Sequence, residues 1–201
     1  MTNHKSTKQH FSQQREAHWQ NYRRLPAYVV PARWRHWLLD RGSLTQRLIA
    51  ASDGQFRVRI LAQGIAKPRR SEAQILGIAN HHLAVVREVI LYGKDQPWVY
   101  ARSVLPLSSL TGRLTRLRKL DERPLGALLF ADPSMRRGKL ELASVQPSKV
   151  ALPQELGIFD TPLWGRRSVF YIADKPLLVS EIFLPTFSPV NAAPNDLSGH
   201  H

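Results

Sequence analysis

Two apolar periods share this chain, one of about two residues and one of three to four. Pro31 opens a stretch in which Trp34, Trp37 and Leu38 recur at helical spacing, and Asp40-Arg41-Gly42 closes it. Ser43 follows as a helix N-cap with Gln46 three residues on, so a second short helix carries Leu44 and Leu48 on one face. Phe56 to Ile60 alternates as a half-buried strand, and Ser71 with Gln74 marks another capped short helix. Leu83 to Leu91 is nearly all apolar and Trp98 to Leu105 is strand-like, so the polar turn between them predicts a β-hairpin. Leu107, Leu110, Leu114, Leu117 and Leu120 predict an amphipathic helix with Arg113, Arg116, Arg118 and Lys119 on its wet side. Pro124 to Phe130 predicts a further short helix, giving two helix-turn-helix pairs in all. Lys139 to Val145 is a predicted strand, and 146–163 is irregular. Two more strands, Arg167 to Ile172 and Leu177 to Leu184, flank the turn Asp174-Lys175-Pro176. Hairpins of this kind imply an antiparallel β-sheet with helices on one side, an α+β fold. Residues 1–18 and 190–201 lack periodicity and are expected to be flexible polar tails around one domain over 19–189.

Two strands carry a charge where alternation calls for an apolar residue. Arg87 shares a face with Leu83, Val85, Val89 and Leu91, and Glu181 shares one with Leu177, Val179 and Phe183. A buried charge needs a partner, so the two residues could form a structural ion pair with each other or serve a buried ligand; the alternative is that these faces are partly wet. Glu88 lies on the opposite face with Ala84, Val86 and Ile90, and alternation alone does not say which face is inward.

Composition narrows the partners. The 201 residues are 43% hydrophobic, enough for one core. No stretch approaches the roughly 20 apolar residues of a membrane span, so no integral membrane segment is expected. The basic, polar N-terminus lacks the apolar run of a secretory signal, and a cytoplasmic location follows as the simplest expectation. Cysteine is absent, which removes disulfides and thiolate metal sites. The net charge of +14 favours anionic partners, whether small acids, nucleic acid or acidic lipid. Arginines interleaved with aromatics on an exposed sheet would mark a nucleic-acid binder, and no such motif is seen. His81-His82 has no accompanying carboxylates and reads as a surface pair, Ser108-Ser109 lacks a nucleophile-elbow context, and the glycines form no phosphate loop.

Six segments together resemble the chorismate pyruvate-lyases. They are Trp37 to Arg47 (WLLDRGSLTQR), Val86 to Leu91 (VREVIL), Trp98 to Leu110 (WVYARSVLPLSSL), Pro124 to Phe130 (PLGALLF), Leu163 to Ser168 (LWGRRS) and Lys175 to Pro185 (KPLLVSEIFLP). Order and spacing agree from about Trp34 to Pro185, and LWGRRS followed by KPLLVSEIFLP is the specific part. The resemblance implies a monomer whose antiparallel sheet encloses a ligand cavity under two helix-turn-helix flaps. It implies elimination of pyruvate from chorismate to give 4-hydroxybenzoate, at the entry to ubiquinone biosynthesis, without metal or cofactor. It also implies that Arg87 and Glu181 bind the ligand and act in catalysis, and that Leu125 and Leu44 line the site. Leu44 stands where relatives can carry Met. Arg102, Arg166 and Arg167 are further candidates for charge in the pocket. The same fold also serves as a non-catalytic acid-binding domain in transcription regulators, where a DNA-binding domain precedes it. Here about 20 polar residues precede the folded region, fewer than the roughly 50 of a small domain.

Overall fold

The computed structural model describes residues 16–150 and 152–189. Seven strands form one antiparallel sheet: β1 (Gln20–Asn21), β2 (Phe56–Ala66), β3 (Ala84–Gly93), β4 (Gln96–Pro106), β5 (Arg136–Val145), β6 (Leu163–Ile172) and β7 (Lys175–Phe183). Their order is β1-β5-β6-β7-β4-β3-β2. The β3–β4 and β6–β7 hairpins turn through Lys94-Asp95 and Ala173-Asp174, all four at positive φ. That is the backbone that matches the right-handed twist of paired strands. The helices are α1 (Ala32–Leu38), α2 (Leu44–Ala51), α3 (Arg70–Leu76) and α4 (Leu125–Phe130).

Both faces of the sheet are covered. On one, α1 and α2 bring Trp37, Leu38, Leu44 and Leu48 against Val89, Leu91, Ala101 and Phe183. Beside them Leu114, Leu117, Leu125 and Leu129 pack on Val85, Leu105, Phe170 and Leu177. These two helical pairs are the expected flaps, and the space between them is the cavity described below. On the other face Trp19, Val150 and Phe159 cover Ile90, Tyr100 and Ile182, and α3 adds Leu76 against Val104 and Leu178. A third helical element therefore lies across the sheet from the flaps. Because both faces are buried, β3 reads as a continuous apolar run rather than a clean alternation.

Three local expectations are corrected. The segment after Pro106 is a 3₁₀ helix over Gly112–Arg118 rather than a long α-helix. Leu114, Leu117 and Leu120 are buried at intervals of three, the period of a 3₁₀ turn, while Arg113, Arg116, Arg118 and Lys119 are exposed as expected. Helix α3 starts at Arg70, not after Ser71, and Glu72 caps it by accepting the Arg69 amide at 2.8 Å. Strand β5 begins at Arg136, three residues before the expected start. The Ser43 cap of α2 is present, its hydroxyl accepting from the Gln46 amide. Residues 1–15 and 190–201 of the expected tails lie outside the described residues. Glu16, within the expected N-terminal tail, accepts from the Ser71 amide at 3.2 Å and from the Ser71 hydroxyl.

The face bearing α3 buries a closed set of charges. Arg102 forks onto both oxygens of Glu72, at 2.7 and 3.1 Å, and donates to Glu88 at 2.7 Å. The Tyr100 hydroxyl donates to the same Glu88 oxygen. Arg167 donates to Glu141 at 2.7 Å and lies over the Trp19 ring. Burial works against the Glu72 charge, yet the Arg102 fork outweighs it and holds that carboxyl below the usual glutamate range. Glu72→Ala should therefore cost about 3 kcal/mol at neutral pH, because it leaves the buried Arg102 guanidinium with Glu88 as its one remaining carboxylate partner among the described residues. A carboxyl with a depressed pKa contributes stability above its unfolded value of about 4.3 and loses it as the pH falls through the lower folded value. Denaturant titrations of both proteins should converge below that range; a constant gap down to pH 2 would mean that lost packing, not charge, sets the cost.

Candidate functional site

The cavity between the flaps and the sheet has an empty volume of about 580 Å³, counted out to its mouth. Its wall combines apolar side chains such as Val58, Val89, Leu129 and Phe170 with three arginines and one carboxylate: Arg87, Arg137, Arg166 and Glu181. Two positive charges are thus in excess at this wall.

Strand register sets where they stand. Arg87 pairs with Ser103 of β4, while Glu181 of β7 pairs with Ala101 of β4 and Arg166 of β6. Two strand spacings of about 4.8 Å and an offset of two residues put the Arg87 and Glu181 Cα atoms on the order of 12 Å apart. The two side chains face each other across the cavity and form no pair. Glu181 instead accepts from Arg166 Nε at 2.6 Å through Oε2. Arg166, only 1% exposed, spends Nη1 on the Trp37 and Asp40 carbonyls at 2.6 and 3.0 Å. No donor is assigned to Glu181 Oε1 among the described residues.

Arg87 is 2% exposed and meets only neutral acceptors, Gln63 Oε1 at 2.7 Å and the Arg123 carbonyl at 3.3 Å. Burial lowers its pKa, against a smaller opposing pull from Asp121. Arg137 likewise meets neutral oxygens, Ser168 Oγ and the Asp40 carbonyl, each at 3.1 Å. Burial and the like charge of Arg166 bring its pKa down to about 10. Neither arginine forms an ion pair among the described residues.

The flaps complete the enclosure. Leu44 and Leu125 are the first residues of α2 and α4, both buried and both lining the cavity. The leading amides of a helix have no acceptor within it, so each leucine brings a donor as well as an apolar side chain. Gly126 lets the flaps meet: a Cβ there would stand 2.8 Å from Thr45 Oγ1.

All four residues singled out from the sequence, Arg87, Glu181, Leu44 and Leu125, line this one cavity. Of the three further arginines, Arg166 lines it too. Arg102 and Arg167 do not, because strand parity turns both to the other face, onto Glu72, Glu88 and Glu141. Arg137 was not singled out; a register shift between Arg137 and Leu140 breaks the alternation that would reveal it. His81 and His82 stack edge-on in a turn, and no cluster of metal-ligating side chains occurs among the described residues. No helix among them is long and apolar enough to cross a membrane.

Comparison with known proteins gives a consistent relationship. The family model described as chorismate lyase matches residues 13–191. A probable chorismate pyruvate-lyase of Aromatoleum aromaticum is 43% identical over 172 residues, covering 82% of this chain and 91% of the relative. One from Methylococcus capsulatus is 44% identical over 150 residues, covering 74% and 93%. Among solved structures, the effector domain of PhnF from Mycobacterium smegmatis aligns with a TM-score of 0.51 at 17% identity, covering 72% of this chain and 90% of that one. The last likeness is one of fold.

Gly126→Ala should push the flaps apart, costing about 1–3 kcal/mol as an overpacked contact does. Adding Thr45→Ala, which removes the oxygen a new Cβ would strike, should restore most of the loss in thermal melts. A full loss that Thr45→Ala leaves untouched would show that Gly126 is needed for another reason.

Proposed function

The chain belongs to the chorismate lyase family, and from that premise we propose that it removes pyruvate from chorismate to give 4-hydroxybenzoate. The observation that carries this reading is the charge of the cavity. Chorismate is a dianion with a carboxylate on its ring and another on its enolpyruvyl ether, and the wall offers two excess cations. On this reading the substrate replaces charge that burial in protein would otherwise leave uncompensated.

The reaction asks little of acid–base machinery. The ether bond at ring C3 breaks, hydrogen is lost from ring C4, and the enolpyruvyl methylene gains hydrogen to become the pyruvate methyl. The books balance within the substrate, the ring becomes aromatic, and nothing is oxidised or reduced overall. What the protein supplies is orientation, exclusion of water and a fixed electrostatic field. Arg87 takes the ring carboxylate through its planar fork, aided by the leading amides of α2 and α4 at Leu44 and Leu125. At the far end Glu181, held through Oε2 by Arg166, uses Oε1 to accept the C4 hydroxyl. Its negative charge also favours the positive character that develops on the ring as the ether loosens. The product is the aromatic acid with which ubiquinone biosynthesis begins, and we place the chain there as a cytoplasmic monomer that needs no cofactor.

Purified protein incubated with chorismate and a chelator should yield 4-hydroxybenzoate and pyruvate in equal amounts. Tight binding of 4-hydroxybenzoate without turnover would instead identify an acid-binding domain on this fold, and rescue of lost turnover by added metal would refute the cofactor-free mechanism. Arg87→Ala should weaken 4-hydroxybenzoate binding by about 2–5 kcal/mol, the cost of stripping a buried charge of its partner. Glu181→Gln keeps a hydroxyl acceptor but drops the charge, so kcat should fall roughly 10²–10³-fold while product affinity changes little. Equal losses in kcat and affinity would confine Glu181 to binding.

A further inference from the structure

Arg137 is the charge in this cavity that the ring acid does not use. We propose that Arg137 holds the carboxylate of the departing enolpyruvyl group and so sets the preference for the ether-linked diacid over the bare ring acid. This rests on the chorismate reading above.

The ether oxygen sits on ring C3, next to the C4 hydroxyl, so the leaving group departs from the Glu181 end when Arg87 holds the ring carboxylate. Arg137 is at that end. Its own register partner is Phe170, but its guanidinium reaches back to Ser168 on β6, the strand beside the β7 that carries Glu181. It also shares the Asp40 carbonyl with Arg166, the partner of Glu181. Arg87 stands on β3, two strands from the β7 that carries Glu181 and four from the β5 that carries Arg137.

Arg166 has its Nε on Glu181 and its Nη1 on two carbonyls, and it acts as a positioning residue for the carboxylate. Arg137 uses Nε and Nη1 on neutral oxygens, and no acceptor is assigned to its Nη2 among the described residues. A guanidinium with a free fork position facing this cavity is suited to one more anionic oxygen. Burial and Arg166 already disfavour its charge, so an incoming carboxylate would be bound strongly and a neutral group poorly. The same pressure assists release. Cleavage gives the second negative charge to pyruvate, which leaves Arg137 uncompensated once it departs, while Arg87 keeps the ring acid.

Arg137→Met and Arg137→Lys test the assignment, with steady-state kinetics on chorismate and direct titration of 4-hydroxybenzoate. Arg137→Met should lower kcat/KM for chorismate roughly 30- to 1,000-fold, the equivalent of losing one buried charge partner. Its affinity for 4-hydroxybenzoate should stay within about threefold of the native value, and Arg137→Lys should recover part of kcat/KM. A chorismate analogue esterified at the enolpyruvyl carboxylate should bind the native protein weakly and gain nothing further from Arg137→Met. Equal loss of chorismate turnover and 4-hydroxybenzoate affinity would overturn the proposal by placing Arg137 on the ring carboxylate or in the scaffold. So would native kcat/KM in a folded Arg137→Met. Either result leaves the chorismate reading intact, whereas a native protein that does not cut chorismate overturns both.

Discussion

A sheet buried on both faces cannot carry an unmatched charge without cost, and this one turns five arginines and three glutamates toward its covering layers, with Glu72 of α3 as a fourth carboxylate. On the face bearing α3 the account is closed by protein alone. Arg102 has Glu72 and Glu88, and Arg167 has Glu141, with hydroxyls filling the remaining positions. Across the sheet it is left open. Arg166 has Glu181, but Arg87 and Arg137 meet only amide, hydroxyl and carbonyl oxygens. The same residue types thus build a scaffold on one side and a receptive cavity on the other. The difference is whether the chain itself supplies the compensating anions.

That asymmetry explains the division of labour among neighbours. Arg166 and Arg167 are adjacent in sequence and point to opposite faces, one to Glu181 in the cavity and the other to Glu141 and Ser71. Arg87 and Glu88 divide in the same way on β3. One strand therefore lines the cavity on one face and buries an ion pair on the other, and a register slip of a single residue would exchange the two. The hairpin turns at Lys94-Asp95 and Ala173-Asp174 help fix that register.

Much of this was legible before any coordinates, and the limits have physical causes. Alternation picked out Arg87 and Glu181, since a charge inside an apolar period of two is conspicuous. It could not choose between Arg87 and Glu88, because both faces of β3 are covered and both sets of neighbours are apolar. Arg137 was invisible: the register shift before Leu140 inverts parity, so counting back from Leu140 points Arg137 the wrong way. The leucines after Pro106 marked the buried side correctly, but spacings of three and four do not separate a 3₁₀ turn from an α-helix. Arg102 looked like a pocket residue only while α3 and its Glu72 were unplaced. The pairing of Glu181 with Arg166 lies across the β6–β7 hairpin, and it was missed because the expected strand began at Arg167, one residue short of it.

In the chorismate reading an aromatic acid fills the open side of this cavity in one orientation, and a crystal structure of the complex with 4-hydroxybenzoate would show it. The ligand is expected inside the cavity, its carboxylate within hydrogen-bond reach of the Arg87 guanidinium and its hydroxyl on Glu181, with Arg137 free of it. A ligand bound outside the cavity, or reversed with its carboxylate on Arg137, would overturn that reading of the site.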